Sequence, residues 1–213
     1  MSPIFSSPDL LNPKDRFLND VYPYYKGFEN IDGFATNHAG TGSHTTGFPR
    51  AILATGATNG SRASLSSSTT QLLSATSPQY YTRFRVRIST TTADLSNSFM
   101  LVGFHVSPTV PTLAERQVCF RISNGNILAA LGNLTSAQEV DTDQNLIAGT
   151  LTDLFFKQIG SVVQYYVDGV LRVTLSSFFP DGVSLPFVFY VSNSAAADKN
   201  MLLFPMIVTR GEP

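Results

Sequence analysis

The segment from residue 154 to residue 174 carries the pattern that most restricts the fold. It reads Leu-Phe-Phe-Lys-Gln-Ile-Gly-Ser-Val-Val-Gln-Tyr-Tyr-Val-Asp-Gly-Val-Leu-Arg-Val-Thr. Two-residue turns, Gly160-Ser161 and Asp168-Gly169, separate three stretches of β-forming residues. Asp-Gly favours a type I′ turn, because both central residues must take a positive φ and these two residue types tolerate it. The segment therefore predicts an antiparallel meander within an all-β protein.

Short β patterns recur along the rest of the chain. Residues 80–89 alternate strictly, with Phe84 and Val86 on one face and the arginines on the other. Residues 99–106 are apolar on both faces, which is typical of a central strand covered on both sides. Such spacing predicts two packed antiparallel sheets. The predicted core comprises Phe84, Val86, Phe120, Phe156, Tyr165, Val167, Leu171, Val173, Phe189 and Val191.

Other segments lack this regularity. Residues 31–47 are predicted to form a loop. Along the whole chain we count roughly twelve predicted strands. No window shows a sustained helical stripe, and the nearest helical candidates are the short pieces Thr112–Glu115 and Ser194–Asp198.

Composition and charge exclude several classes of partner. Of the 213 residues, 43% are apolar and only 14% are charged, against roughly 25% in an average soluble protein. A net charge of −1 offers no basic field, so we expect neither a nucleic acid nor a membrane partner. The lone Cys119 excludes an internal disulfide framework. The first eight residues lack the basic and apolar regions of a secretory signal, so we expect synthesis in a cytoplasm.

Residues 1–30 differ from the rest and are predicted to form an extended N-terminal arm, with one sandwich over residues 31–213. Prolines interrupt this segment at Pro3, Pro8, Pro13 and Pro23, and no regular period lasts a full element. Three alternatives stand: an arm folded onto its own domain, an arm that grips a neighbouring subunit, and disorder. The candidate assembly residues are the aromatic ones, Phe17, Tyr22, Tyr24, Tyr25 and Phe28.

The last third of the chain resembles a known family. An aromatic strand, Gly-Ser, Val-Val-Gln-Tyr-Tyr-Val, Asp-Gly and Val-Leu-Arg-Val-Thr are followed by a loop at Pro180, Pro-Phe-Val-Phe-Tyr-Val and a final strand before Arg210. This order is similar to the end of concanavalin A-like lectin and glucanase sandwiches, especially those of bacteriophage structural proteins. The likeness extends over residues 45–210. It implies an antiparallel β-sandwich of the jelly-roll type, a fold that hosts lectins, hydrolases and structural modules.

Catalysis of the glucanase kind requires a Glu-x-Asp-x-x-Glu strand, which places two carboxylates beside the scissile bond. The chain has four glutamates, Glu29, Glu115, Glu139 and Glu212, and the nearest match runs from Glu139 to Gln144 without the second Glu. There is no Gly-x-Ser-x-Gly elbow either. We therefore expect no enzyme and no catalytic residue.

Metal and cofactor signals are weak. Asp141-Thr-Asp143-Gln-Asn145 alternates oxygen ligands as a calcium loop does, but Leu146 and Thr152 occupy positions where an EF-hand needs Gly and Glu. A solvated connecting loop is the better interpretation. His38 and His44 are six residues apart, which matches no common zinc pattern. We expect no metal and no cofactor.

One row of side chains is a candidate contact surface. Tyr81, Arg83, Arg85 and Arg87 share one strand face, with their side chains about 7 Å apart. The row fits acidic residues of a partner or an anionic glycan. The alternative is a solvated outer face whose arginines pair with acids on adjacent strands.

The resemblance and the missing catalytic residues together give two functional hypotheses. The main expectation is a non-enzymatic virion protein of a tailed bacteriophage, a capsid decoration, vertex or tail-appendage component that forms homo-oligomers and assembles with other virion proteins. The alternative is a lectin-like module that binds a host glycan. Such a site needs an exposed aromatic residue among Asn, Asp and Gly side chains. The loops at 32–47, 107–116 and 193–200 supply the polar groups, but the chain has no Trp.

Overall fold

The protein is built from strands. The computed structural model describes residues 22–26, 33–47, 50–75 and 81–211. These ranges contain no helix, and hence none long and apolar enough to cross a membrane. The strands are β1 (Tyr22–Lys26), β2 (Phe34–Ala39), β3 (Ser43–Gly47), β4 (Arg50–Ala54), β5 (Arg62–Leu73), β6 (Tyr81–Ser89), β7 (Ser98–His105), β8 (Gln117–Ser123), β9 (Asn126–Gly132), β10 (Ala137–Asn145), β11 (Thr152–Ile159), β12 (Val162–Val167), β13 (Val170–Leu175), β14 (Val183–Asn193) and β15 (Asn200–Gly211).

Two antiparallel sheets hold these strands. Sheet A has the order β13-β12-β11-β6-β15-β4-β3, and β1 also pairs with β15. Sheet B has the order β10-β9-β8-β7-β14-β5-β2. The predicted all-β, two-sheet class is confirmed, whereas the two short helical candidates, Thr112–Glu115 and Ser194–Asp198, are turns and loop.

The core lies between the sheets. Nine of the ten predicted core residues are buried, among them Phe84 and Phe156, whose rings stack 5.1 Å apart. The Tyr165 hydroxyl, which lies on sheet A, donates a hydrogen bond of 2.6 Å to the Ala130 carbonyl of sheet B. Because a buried hydroxyl needs a partner, this bond fixes the two sheets against each other at one point.

The prediction for Leu171 is wrong, because this side chain is 45% exposed. In the pairing of β12 with β13, Tyr165 lies opposite Val173 while Tyr166 lies opposite Leu171. The bulge leaves Arg172 without a partner position, so the alternation of inward and outward side chains slips by one residue. Val173 remains inside, and Leu171 turns outward beside Tyr166.

The predicted meander is confirmed, with its turns at the expected residues. Asp168 and Gly169 take φ values of 52° and 77°, the two positive angles of a type I′ turn. Gly160 takes φ 58° in the turn between β11 and β12. The three strands form one edge of sheet A.

Two segments without a clear alternating pattern are nevertheless strands. The predicted loop at 31–47 contains β2 and β3, which are the edge strands of sheets B and A. The predicted connecting loop at Asp141–Asn145 belongs to β10, the other edge of sheet B. Edge strands bury little of their surface, so their polar composition resembles that of loops.

The predicted N-terminal arm is described only in part. Tyr22–Lys26 form β1, whose Tyr22 pairs with Arg210 and whose Tyr24 and Tyr25 pair with Val208 and Ile207. Phe17 and Phe28 lie outside the described residues. The assembly role of these aromatic residues stays a prediction.

Candidate functional site

Sheet B carries a second apolar layer on its outer face, the face turned away from the core between the sheets. Leu101, Cys119, Ala130, Val188 and Tyr190 form this layer and are almost completely buried. They come from four adjacent strands, since Tyr190 pairs with Leu101, and Cys119 pairs with Ala130. A sheet face as apolar as this one needs a cover, because exposing it to water would cost free energy.

The loop of residues 106–116 supplies this cover. Leu113 packs on the apolar layer, and the Ser64 hydroxyl of β5 donates to the Pro108 carbonyl at 2.7 Å. At the other end, the Gln117 amide donates to the Leu113 carbonyl at 2.5 Å. A Cβ atom on Gly132 would lie 2.5 Å from the Glu115 carbonyl, so the loop touches the backbone of β9 directly. The loop therefore crosses the sheet from β5 to β9.

A pocket of about 270 Å³ opens at the end of sheet B where β7 begins and where β8 and β14 end. Phe99, at the start of β7, is the one aromatic residue that lines it. The remaining lining residues are small and polar: Asn97, Ser98, Ser123, Asn124, Ser192, Asn193 and Ser194. The pocket thus combines one apolar ring with amide and hydroxyl groups and contains no charged side chain.

Two turns present asparagine side chains at the pocket. Asn97 precedes β7 and takes φ 57°, and Asn124 lies between β8 and β9 with φ 52°. The left-handed conformation suits asparagine better than most residues, which explains this residue type at both turns. Backbone bonds tie the turns together, because Asn124 N donates to Ser98 O at 3.0 Å and Ser194 N donates to Asn97 O at 2.9 Å.

Several polar side chains of the pocket are not engaged by the part of the chain that the structure describes. Among the described residues, none forms a hydrogen bond with the side chains of Asn97, Ser123, Asn124 or Ser192. Asn193 is different: its buried amide donates to Thr55 Oγ1 and to the carbonyls of Gly56 and Ala197. Asn193 is therefore part of the frame, and the other four side chains are available to a ligand.

A buried lysine supports the loop that carries Asn97. Lys199 is 2% exposed, and its Nζ donates to the Asp94 carbonyl at 2.5 Å. Its backbone N donates to Thr55 Oγ1 at 2.9 Å. The Ser96 side chain is the main cause that lowers the pKa of Asp94, and the Ser96 backbone N–H adds to the effect. The loop at 94–97 is thus held by hydrogen bonds on both sides.

The Phe99 ring is fixed by its neighbours. Its centroid lies 5.9 Å from that of Tyr190, and Cζ of Arg121 lies 4.6 Å from the Phe99 centroid. Arg121 Nε is 2.7 Å from a carboxylate oxygen of Glu139, at an angle outside that of a hydrogen bond. A ring held by a cation and by a second aromatic residue offers a rigid apolar surface with little loss of entropy on binding.

The structure does not bring the predicted arginine row to this pocket. Arg83, Arg85 and Arg87 lie on the outer face of sheet A. Arg85 Nε lies 3.0 Å and 3.1 Å from the two carboxylate oxygens of Asp153, on the adjacent strand β11. This ion pair agrees with the alternative of a face paired with acids. For Tyr81 only the backbone is described. The contact role of the row stays a prediction.

The remaining candidate groups are the acidic residues of β10 and the two histidines of the edge strands. Asp141 accepts from the Asn126 amide at 2.8 Å and from Asp143 N at 2.7 Å, and the bond from Asn126 is the main cause that lowers the pKa of Asp141. His38 Nε2 lies 2.8 Å from His44 Nδ1. In the described ranges no three His, Cys, Asp or Glu residues cluster as metal ligands would.

Cys119 and His105 are buried on sheet B. Cys119 is inert as a nucleophile, because burial raises the pKa of its thiol to about 12. His105 ends β7, where its Nδ1 accepts from Ser107 N at 3.0 Å.

Comparisons with known proteins show the fold. No protein-family model and no curated protein matches this chain. Solved structures do match: the carbohydrate recognition domain of Emp46p in its metal-free form has a TM-score of 0.63 at 6% identity, covering 84% of this chain and 88% of that one. The β-glucanase of Bacillus licheniformis has a TM-score of 0.66 at 12% identity, covering 88% and 97%. The expected concanavalin A-like sandwich is confirmed.

A third solved structure belongs to work on endo-acting O-glycanases with which human gut microbiota initiate mucin breakdown. Its TM-score is 0.63 at 11% identity, and the match covers 87% of this chain and 98% of that one. With the β-glucanase, it corrects the expectation that this chain is not an enzyme. Enzymes share the fold, so the missing Glu-x-Asp-x-x-Glu pattern does not exclude catalysis.

At 6–12% identity these comparisons show the fold and do not separate the two functional hypotheses. One neighbour of that fold is a carbohydrate recognition domain, that of Emp46p. None of the three proteins is described as part of a virus particle, so the bacteriophage role, its virion partners and its location stay predictions.

Sequence reasoning located part of this site. The loop at 193–200 contributes Asn193 and Ser194 to the pocket, and the loop at 107–116 covers the neighbouring face. The loop at 32–47 is not part of the lining. Sequence reasoning did not identify Phe99 as a ligand contact. The apolar residues on both faces of β7 were the signal for a covered outer face.

Proposed function

We propose that the pocket beside Phe99 binds carbohydrate. The observation that carries the proposal is a fixed aromatic ring among amide and hydroxyl side chains, four of which have no partner among the described residues: Asn97, Ser123, Asn124 and Ser192. A sugar ring has a face of C–H groups and a rim of hydroxyl groups. The C–H face packs on an aromatic ring, and the hydroxyl groups exchange hydrogen bonds with Asn and Ser side chains.

The size and position of the pocket support a short saccharide or the end of a longer one. Its volume of about 270 Å³ is just below the range of roughly 300–1,000 Å³ that is typical of drug-sized ligands. It opens where the strands of sheet B meet their turns, so a longer glycan has room to continue beyond the pocket. The likeness to a carbohydrate recognition domain adds support at the level of the fold.

A double substitution tests the proposal without straining the backbone. Asn97→Gly with Asn124→Gly removes both amides at positions whose positive φ values glycine adopts freely. Asp143→Gly is the matched control, because Asp143 also has φ 57° and lies in the edge strand β10. The full chain and both variants are titrated with a panel of neutral and acidic oligosaccharides.

We expect at least one saccharide to bind the wild-type chain. The double variant should lose about 1–3 kcal/mol of binding free energy, roughly fivefold to a hundredfold in Kd, because two hydrogen-bonding groups are removed. Asp143→Gly should bind like the wild type. The proposal fails if nothing in the panel binds, or if the double variant binds as tightly as the control.

A further inference from the structure

An arginine with no acidic partner lies next to the pocket. Arg62 begins β5, where it pairs with Ser192 of β14, and Ser192 pairs in turn with Phe99 of β7. Ala63 belongs to the inner core, so the alternation of β5 places Arg62 on the outer face with Ser192 and Phe99. Adjacent strands are about 4.8 Å apart, which brings the pocket within reach of an arginine side chain.

One donor of the Arg62 guanidinium, Nε, has no partner among the described residues. This nitrogen is shielded from solvent, and none of the described residues forms an ion pair with Arg62. A shielded donor without a partner costs free energy, whereas a bound acceptor removes that cost. Arg85 on sheet A shows the contrast, because it pairs with Asp153.

Nearby acids of the described residues are engaged elsewhere. Asp198 accepts from the Gly56 backbone N–H at 2.8 Å, and Glu139 pairs with Arg121. Asp94 accepts from Ser96 N at 2.8 Å. No Asp or Glu lines the pocket. The positive charge of Arg62 therefore has no counter-charge on this part of sheet B.

A second guanidinium lies on the other side of Phe99. Arg121 pairs with Glu139 through Nε, but its Nη1 is buried and has no hydrogen-bond partner. Across the sheet, Arg121 pairs with Leu101, Leu101 pairs with Tyr190, and Tyr190 pairs with Ser64. Ser64 follows Arg62 by two residues on β5, so Arg121 and Arg62 lie in adjacent rows of the same face. Arg121 therefore lies over the ring of the pocket and pairs with Glu139, whereas Arg62 lies two strands from Phe99 and has no acidic partner among the described residues.

We propose that the site selects acidic saccharides, with a carboxylate or sulfate group of the sugar pairing with Arg62. This inference rests on the proposed carbohydrate function and adds the class of ligand. The planar guanidinium matches an oxyanion with two parallel hydrogen bonds, and the pair is stronger than a neutral hydrogen bond. Phe99, Asn97 and Asn124 bind the sugar ring, while Arg62 binds its acidic group.

Two pairs of ligands, each an acidic saccharide and its neutral form, test this inference. The first pair is oligogalacturonate and its methyl ester, which differ in the carboxylate alone; the second is a sulfated galacto-oligosaccharide and its desulfated form. The oligosaccharide panel used for the carbohydrate function is run beside them. Each ligand is titrated into the wild-type chain, Arg62→Gln, Arg62→Lys and the control Arg172→Gln, whose exposed arginine lies on β13 of sheet A. Thermal melting confirms that each variant is folded.

We expect an acidic form to bind the wild-type chain at least tenfold more tightly than its neutral form. Arg62→Gln should remove this preference and leave the neutral affinity unchanged, Arg62→Lys should keep part of it, and Arg172→Gln should keep all of it. The carboxylate and sulfate pairs show which anion is preferred.

Three outcomes overturn the inference. Equal binding of charged and neutral forms, or an unchanged preference in Arg62→Gln, refutes the acidic ligand and leaves the carbohydrate function standing. Loss of the preference in Arg172→Gln as well indicates general attraction to a positive chain and also refutes it. If no saccharide of either kind binds, both the inference and the proposed function fail.

Discussion

The outer faces of sheets A and B differ in what covers them. On sheet A, charged and aromatic side chains of β6 and β11 share the outer face, and Leu171 on β13 is 45% exposed. On sheet B, Leu101 is completely buried under the loop at 106–116. A covered face has an apolar interior and an open margin, and the pocket lies at that margin. The comparison teaches that a strand with apolar residues on both faces indicates a covered sheet face. A binding site can then form at the margin of the covered layer.

Two leucines on opposite faces give the largest expected difference. Leu101→Ala should lower the free energy of unfolding by about 2–5 kcal/mol, because it removes buried methyl groups and leaves a cavity under the loop. Leu171→Ala should change it by at most about 0.5 kcal/mol, because that side chain is already half in water. Urea titrations of both variants measure the difference. Equal effects would show that the loop does not cover sheet B.

A pair of glycines tests the contact between the loop and sheet B. Gly132→Ala places a methyl group 2.5 Å from the Glu115 carbonyl, so the loop must shift, at a cost of about 1–3 kcal/mol. Gly47→Ala on β3 is the control, since nothing lies within 4 Å of its Cβ position. We expect a lower melting temperature for Gly132→Ala alone. If the two variants melt together, the loop does not touch β9.

The smallest effect is a pH dependence of stability at the end of β7. Burial lowers the pKa of His105, while Glu115 opposes the shift and Arg121 adds to it. The unfolded chain, with a histidine pKa near 6.5, takes up the proton first as the pH falls. The free energy of unfolding should therefore decrease below about pH 6.5, and hold its full value above it.

His38, on the edge strand β2 of sheet B, contributes to the same trend, because burial and then the neighbouring His44 lower its pKa. His105→Asn keeps an acceptor for Ser107 N but removes the titrating group, so its stability should fall less steeply between pH 8 and pH 5. Urea midpoints at each pH measure the slopes. Identical slopes in the variant and the wild type would show that His105 is not buried in its neutral form.

The sequence predicts the sheets better than the site. Strict alternation at Phe84 and Val86, and the Asp168-Gly169 turn, depend on local rules, and the structure confirms both. Leu171 was misplaced because a bulge cannot be read from periodicity. The pocket depends on Asn97, Asn124 and Ser192, which are far apart in sequence and meet only through the pairing of β7, β8 and β14. No local pattern encodes that meeting.

Polar edge strands were the other difficulty. β2, β3 and β10 pair along one side only, so their sequences lack the apolar alternation of a central strand. His38 and His44 accordingly looked like loop residues, although their rings lie 5.0 Å apart on the edge strands of the two sheets. Pairing between distant segments is what defines such strands.

The most direct test of the carbohydrate site is a titration followed by nuclear magnetic resonance, with the phenylalanine rings and backbone amides assigned. When the tightest-binding saccharide is added, the Phe99 ring and the amides of residues 97–99, 123–124 and 192–194 should shift together. The rings of Phe155 and Tyr166 on the outer face of sheet A, 5.0 Å apart, should not move. Shifts centred on Phe155 and Tyr166, with Phe99 unchanged, would contradict the assignment of the site to sheet B.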